Sequence, residues 1–153
     1  MTEKLCHPLT RVAGLFALLL SLLSPVFAAD DPLAGDLKRI QGKWKATVPM
    51  DGASTVWKLE VKDHKAVIVV ESEDGATQFK GEMEFKLEKH GSFTAYTYFN
   101  LKVLSGSGEG ETRYTGGDTK SSLYRFSDGD WITVGGLRTD DNEKPRLITW
   151  SRP

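Results

Sequence analysis

Between Phe79 and Glu88 the side chains alternate without a break. Phe79, Gly81, Met83, Phe85 and Leu87 are apolar or small, and Lys80, Glu82, Glu84, Lys86 and Glu88 between them are charged. Successive side chains of a β-strand point to opposite faces, so this segment has one face for a core and one for water. Wound as a helix, the same residues would scatter their apolar groups around the axis. The pattern is that of an antiparallel sheet wetted on one side. It recurs where Trp57, Leu59 and Val61 alternate with Lys58, Glu60 and Lys62. In the segment that follows Gly91, the alternation reads Phe93, Ala95, Thr97, Phe99 and Leu101 as one face, which sets Tyr96 and Tyr98 on the other.

About eight strands follow from this reading, over 42–49, 55–62, 65–73, 77–88, 92–104, 119–126, 130–136 and 145–152. Asp51-Gly52, Asp74-Gly75, His90-Gly91 and Asp128-Gly129 put glycine where a hairpin wants positive φ, and Lys62-Asp63-His64-Lys65 is a tight turn without glycine. Longer loops are expected over 105–118 and 138–144. Short strands joined by hairpins form a sandwich or an up-and-down barrel. The meander order favours the barrel, whose closure removes edge strands. Helical periodicity is confined to Asp36–Ile40, a single turn with Asp36 as its N-cap.

The first residues read as a signal peptide over 1–28. Lys4 and Arg11 give a basic start, Val12–Leu23 an apolar core, and Val26-Phe27-Ala28 small residues for cleavage. Pro25 interrupts the apolar run well short of the ~20 residues a membrane span needs. Residues 29–35 form a polar linker, and 36–153 the folded domain. The expected location is therefore periplasmic or extracellular, with no membrane span after cleavage. The single cysteine, Cys6, falls before the apolar core, so the exported domain has no disulfide and must rely on its core. The chain carries a formal net charge of −1 and no basic run, which argues against nucleic-acid binding.

Gly42-Lys43-Trp44 opens the first strand directly after the helical turn. With an arginine near the chain end, Arg152 in preference to Arg146, it resembles the lipocalin-like, or calycin, barrels, in which a Gly-x-Trp tryptophan is packed by an arginine from the last strand. Leu37-Lys38-Arg39-Ile40-Gln41-Gly42-Lys43-Trp44, together with Leu123–Trp131 and Lys144-Pro145-Arg146, is similar to a family of small exported domains of unknown function abundant in planctomycete bacteria. That resemblance runs from Asp36 to the C-terminus. It implies a fold and an address, and no activity or ligand residues. Asn100 and Val134 stand where members of the family often have aspartate and cysteine.

Several constellations bear on chemistry. Gly42, Trp44 and Arg152 are expected to close the barrel. Trp57, Leu59, Met83, Phe85, Phe93, Ala95, Thr97 and Phe99 are the candidates for lining a cavity, with Gly81, Ala95 and Thr97 leaving room for a small apolar ligand. His64, His90, Asp128 and Asp130 fall at one barrel end without metal-motif spacing. Asp51, Glu73, Asp74, Glu109, Glu111, Asp118, Asp140, Asp141 and Glu143 would make a negative rim at the other. No nucleophile motif is present, and Gly106-Ser107-Gly108-Glu109-Gly110 lacks the features of a phosphate loop. The expectation is a non-catalytic barrel with neither cofactor nor metal that binds a small apolar molecule. The alternative is a filled barrel that docks an envelope protein through outward Tyr96, Tyr98 and Tyr124.

Overall fold

The structure, a computed structural model, describes residues 33–50, 52–137 and 144–153. The expected signal peptide, residues 29–32 of the linker, and Asp51, Asp140, Asp141 and Glu143 lie outside the described residues. The described part is an all-β protein with one short helix. Helix α1 spans Ala34–Ile40 and is followed by β1 (Gly42–Met50), β2 (Ala53–Lys62), β3 (Lys65–Ser72), β4 (Thr77–His90) and β5 (Phe93–Ser105). A two-residue β6 (Thr112–Arg113) precedes β7 (Lys120–Ser127), β8 (Asp130–Gly135) and β9 (Arg146–Trp150). Every strand of the main path pairs antiparallel with the next, in the order β1-β2-β3-β4-β5-β7-β8-β9, and β6 pairs with β5 alone. This is the up-and-down meander that the hairpin spacing predicts.

The sheet curls until its first and last strands meet. The Lys45 amide donates to the Ser151 carbonyl and the Ser151 amide to the Lys45 carbonyl, each at 2.9 Å. That bridge is isolated, so the barrel is nearly rather than fully closed. Backbone groups of an antiparallel strand alternate between its two neighbours. With Lys45 turned toward β9, Thr47 and Pro49 turn the same way, and Pro49 has no N–H to offer. Pro49 thus removes one donor from the edge that β1 turns toward β9.

Helix α1 begins at Ala34, two residues before the expected turn, and Leu33 beside it is buried. Its N-cap position is Leu33, which makes no side-chain cap. Asp36 lies within the first turn, and its Oδ2 accepts a 2.9 Å hydrogen bond from the Tyr124 hydroxyl on β7. The helix is thus tied across the barrel end to β7. Gln41 ties it to the β2–β3 turn as well: its Nε2 donates to the Leu37 and Asp63 carbonyls, and its Oε1 accepts from the Asp63 amide at 2.7 Å. Asp63 holds φ +53, the left-handed conformation that this glycine-free turn requires and that aspartate tolerates.

The alternation expected for β4 is present, with Gly81, Met83 and Phe85 buried against exposed Lys80, Glu82 and Glu84. The face expected for β5 is reversed. Phe85 pairs with Tyr98 and Leu87 with Tyr96, whereas Glu84, Lys86 and Glu88 pair with Phe99, Thr97 and Ala95. Residues directly opposite in a ladder share a face. Tyr96 and Tyr98 therefore point into the barrel, and Ala95, Thr97 and Phe99 lie on its outer face. A β-bulge near Asn100, at φ +51, adds one residue to β5 between its pairings with Glu84 and Glu82. The added residue brings Leu101 back to the inside. The apolar alternation that reads evenly through Leu101 in the sequence is two half-strands of opposite phase.

Candidate functional site

The two barrel ends are built differently. At the end capped by α1, Trp44 is buried and its Nε1 donates 2.7 Å to the Ile40 carbonyl. The Arg152 guanidinium lies 3.8 Å over the Trp44 ring. Its Nη1 donates to the Gln41 carbonyl at 2.6 Å, and its Nη2 to the Arg39 carbonyl at 2.7 Å. One planar, always-charged group thus covers the ring and satisfies the carbonyls at the helix end, where the helix dipole is negative. Gly42 holds φ +94, and a Cβ there would stand 2.9 Å from Arg152 Nη1. Gly42, Trp44 and Arg152 are one closure, and Arg146 lies at the other end of β9. Arg39 adds a second stacked guanidinium, 3.9 Å from the Phe126 ring.

Beneath this closure the barrel is packed with rings. Trp131 lies with its centroid 5.8 Å from Trp44, 5.3 Å from Tyr96 and 6.0 Å from Trp150. Phe85 stacks on Tyr96 at 4.8 Å. Burial pushes the Tyr96 phenol far above its ordinary pKa, so it stays protonated, with the Met83 sulfur 3.8 Å away as its acceptor. The Trp150 indole N–H donates to Thr133 Oγ1 at 3.0 Å. The buried Trp131 Nε1 has no acceptor among the described residues.

Toward the other end a cavity of about 1320 Å³ opens to solvent. Trp57, Leu59, Ile68, Val70, Phe79 and Met83 form its apolar wall, and the buried Tyr96 and Trp131 also line it. Across from that wall runs a polar stripe, with Lys120 and Ser122 from β7, Thr133 from β8 and Arg146 from β9. The inner position is small at Ser122 and Gly135, where a Cβ on Gly135 would stand 3.0 Å from the Ser122 hydroxyl. Small residues at these positions leave the cavity its width.

Of the eight residues expected to line a cavity, Trp57, Leu59 and Met83 do so. Phe85 is buried in the ring stack instead. Phe93 is 63% exposed at the start of β5, and Ala95, Thr97 and Phe99 face outward because of the reversed phase of that strand. Thr97 and Ala95 are nevertheless buried. Thr97 lies within 2.9 Å of the Ser121 hydroxyl and also bonds to Glu88, whose carboxyl is held below its usual pKa chiefly by Lys86 and then by Thr97. Gly81 leaves no room either, since Leu101 and Phe79 already occupy the place of its absent side chain. Among the lining residues missed are Tyr96, Tyr98, Lys120, Ser122 and Arg146. Asn100 and the aromatic pair Tyr98-Phe99 are the sequence signal of the bulge that would have found the first two.

Among the described residues, the mouth carries charges of both signs. Glu73 and Asp74 stand on the β3–β4 turn at one side of the mouth, and Lys120, Lys144 and Arg146 at the other. Asp74 is engaged within its own turn, accepting from the Ser72 hydroxyl and the Ala76 amide, which hold its carboxyl below the usual range. No group of three or more His, Cys, Asp or Glu residues that could hold a metal occurs among the described residues. His64 packs against Phe85 at 5.8 Å, His90 is exposed, and Asp130 accepts from the Ser151 hydroxyl. The described residues contain no helix long and apolar enough to cross a membrane.

No family, curated protein or solved structure matches the chain.

Proposed function

We propose that this chain is an exported, non-catalytic barrel that binds a small apolar molecule in its open half. The observation that carries this reading is the cavity itself. A volume of about 1320 Å³ behind an apolar wall is more than the ~300–1,000 Å³ typical of small-molecule sites. A packed interior would instead have favoured a docking module. Tyr96, Tyr98 and Tyr124, the residues on which that alternative rested, lie inside the barrel. The likeness of the opening motif to planctomycete exported domains, and the basic-then-apolar N-terminus, support the exported address. Native mass spectrometry of the protein purified from its own cells tests the reading. A retained small molecule, lost on denaturation, is expected; protein that always flies at its bare mass would count against it.

A further inference from the structure

Trp57 lines the cavity half-buried, and the plane of its ring is tied down. Its indole Nε1 donates 2.9 Å to Oγ1 of Thr55, two residues back on the same strand face. Thr55 Oγ1 in turn donates 2.9 Å to the carbonyl of Val48, its partner across the β1–β2 ladder. The one polar group of the ring is thus satisfied within the sheet, and two hydrogen bonds in series fix its tilt. Its face is covered more loosely than that of Trp44. The guanidinium carbon of Arg146 lies 6.0 Å from the Trp57 ring centre, against 3.8 Å for Arg152 over Trp44. Two further half-buried rings of the lining are also braced. Phe79 shares a ladder row with Trp57, with the shorter Val70 between them. It leans over Gly81, where a Cβ would stand 3.1 and 3.2 Å from two of its ring carbons. Tyr98 on β5 meets Tyr114 edge-on, with centroids 5.5 Å apart and planes at 84°.

We infer that the ligand carries a flat aromatic ring system that packs against Trp57, Phe79 and Tyr98, and that Thr55 is the positioning residue that sets the plane of Trp57. The inference rests on the proposed apolar-ligand reading and adds the chemical class of the ligand. Burial of apolar area is non-directional, so a flexible aliphatic chain gains from it whatever the tilt of the neighbouring rings. Contacts between rings are directional, favour offset or edge-on geometry, and add affinity beyond the area they bury. Rings held in place before binding also lose little freedom when a ligand arrives. A hydrogen-bond chain, a glycine and an edge-on contact each hold a ring plane that an aliphatic ligand would not sense.

Isothermal titration with 2-naphthol, decahydro-2-naphthol and 1-decanol, equal in carbon count and each with a single hydroxyl, tests this. Each association constant is divided by the compound's own water-to-octanol partition coefficient, so that apolar transfer alone would give equal values. On that scale 2-naphthol should exceed both aliphatic alcohols by about fivefold or more. In Trp57→Leu the aromatic preference should fall toward unity. Thr55→Val keeps the shape of the side chain but removes the acceptor of the indole N–H, and should also lower the preference. Thr55→Ser, which keeps the hydroxyl, should retain it. Melting curves confirm that each variant is folded. Equal scaled affinities in the wild type would overturn the inference while leaving the apolar-ligand reading intact, and a preference unchanged in Thr55→Val would overturn the role given to Thr55. Absence of binding by all three alcohols would count against the apolar-ligand reading itself.

Discussion

One barrel wall serves two halves that have solved opposite problems. At the α1 end, Trp44, Trp131, Phe85, Tyr96 and Tyr124 fill the interior, and Arg152 seals it. At the other end, the same strands carry Ser122 and Gly135 on their inner positions, and the space stays open. Paired strands keep a fixed spacing, so small inner residues such as Ser122 and Gly135 help decide which half is cavity. Stability should therefore be concentrated at the closed half and ligand recognition at the open one. Two tryptophans of similar size make this contrast testable, because Trp44 lies in the first half and Trp57 in the second.

Trp44→Ala should have the largest effect. Removing a buried tryptophan costs about 3–5 kcal/mol, here compounded by loss of the Ile40 hydrogen bond and of the Arg152 platform. A small domain holds only ~5–15 kcal/mol in all, so chemical denaturation should find the variant largely unfolded or near its midpoint without denaturant. Trp57→Ala, by contrast, should retain most of the stability and lose affinity for apolar probes. Equal destabilisation by the two substitutions would erase the distinction between the halves.

Arg152→Ala should follow at about 2–3 kcal/mol, since hydrogen bonds from a charged group contribute ~1.5–3 kcal/mol and the ring contact somewhat less. Arg152→Lys should recover only part of this, because an ammonium cannot span two carbonyls while lying flat on the indole. Gly42→Ala should cost about 1–3 kcal/mol through its positive φ, and its effect should not add fully to that of Arg152→Ala because the two sites touch.

The smallest effect concerns pH. Glu88 has a folded pKa below its ordinary value because of Lys86 and Thr97. Its contribution is present above the unfolded-state pKa and is lost as pH falls through the folded one. Glu88→Gln should thus slightly lower stability at neutral pH, leave strongly acid pH nearly unchanged, and so flatten the acid limb of a stability-versus-pH curve. A steeper acid limb would contradict the assignment.

Much of the closed half is legible in the sequence, and rather little of the open half. Gly42, Trp44 and the Phe79–Glu88 alternation identify a barrel end and a wall because each depends on local geometry: a backbone angle, a ring size, a period of two. The strand boundaries follow from turn residues for the same reason. The cavity depends on phase carried over long distances. Both faces of β5 are aromatic, so hydrophobicity cannot choose between Tyr96 and Thr97, and a single bulge at Asn100 hides the change of phase. Lys120 and Arg146 look like solvent-facing charges in any one-dimensional reading. They become cavity residues only once their strands are paired.

The central claim, that the open half is a binding chamber independent of the closed half, is tested most directly by titrating a neutral fluorescent apolar probe, N-phenyl-1-naphthylamine, into the wild-type protein and Ser122→Phe. The account predicts saturable one-to-one binding to the wild type, loss of that binding when phenylalanine fills the space beside Gly135, and a melting temperature little changed. Failure of the wild type to bind, or binding undiminished by the phenylalanine, would contradict it.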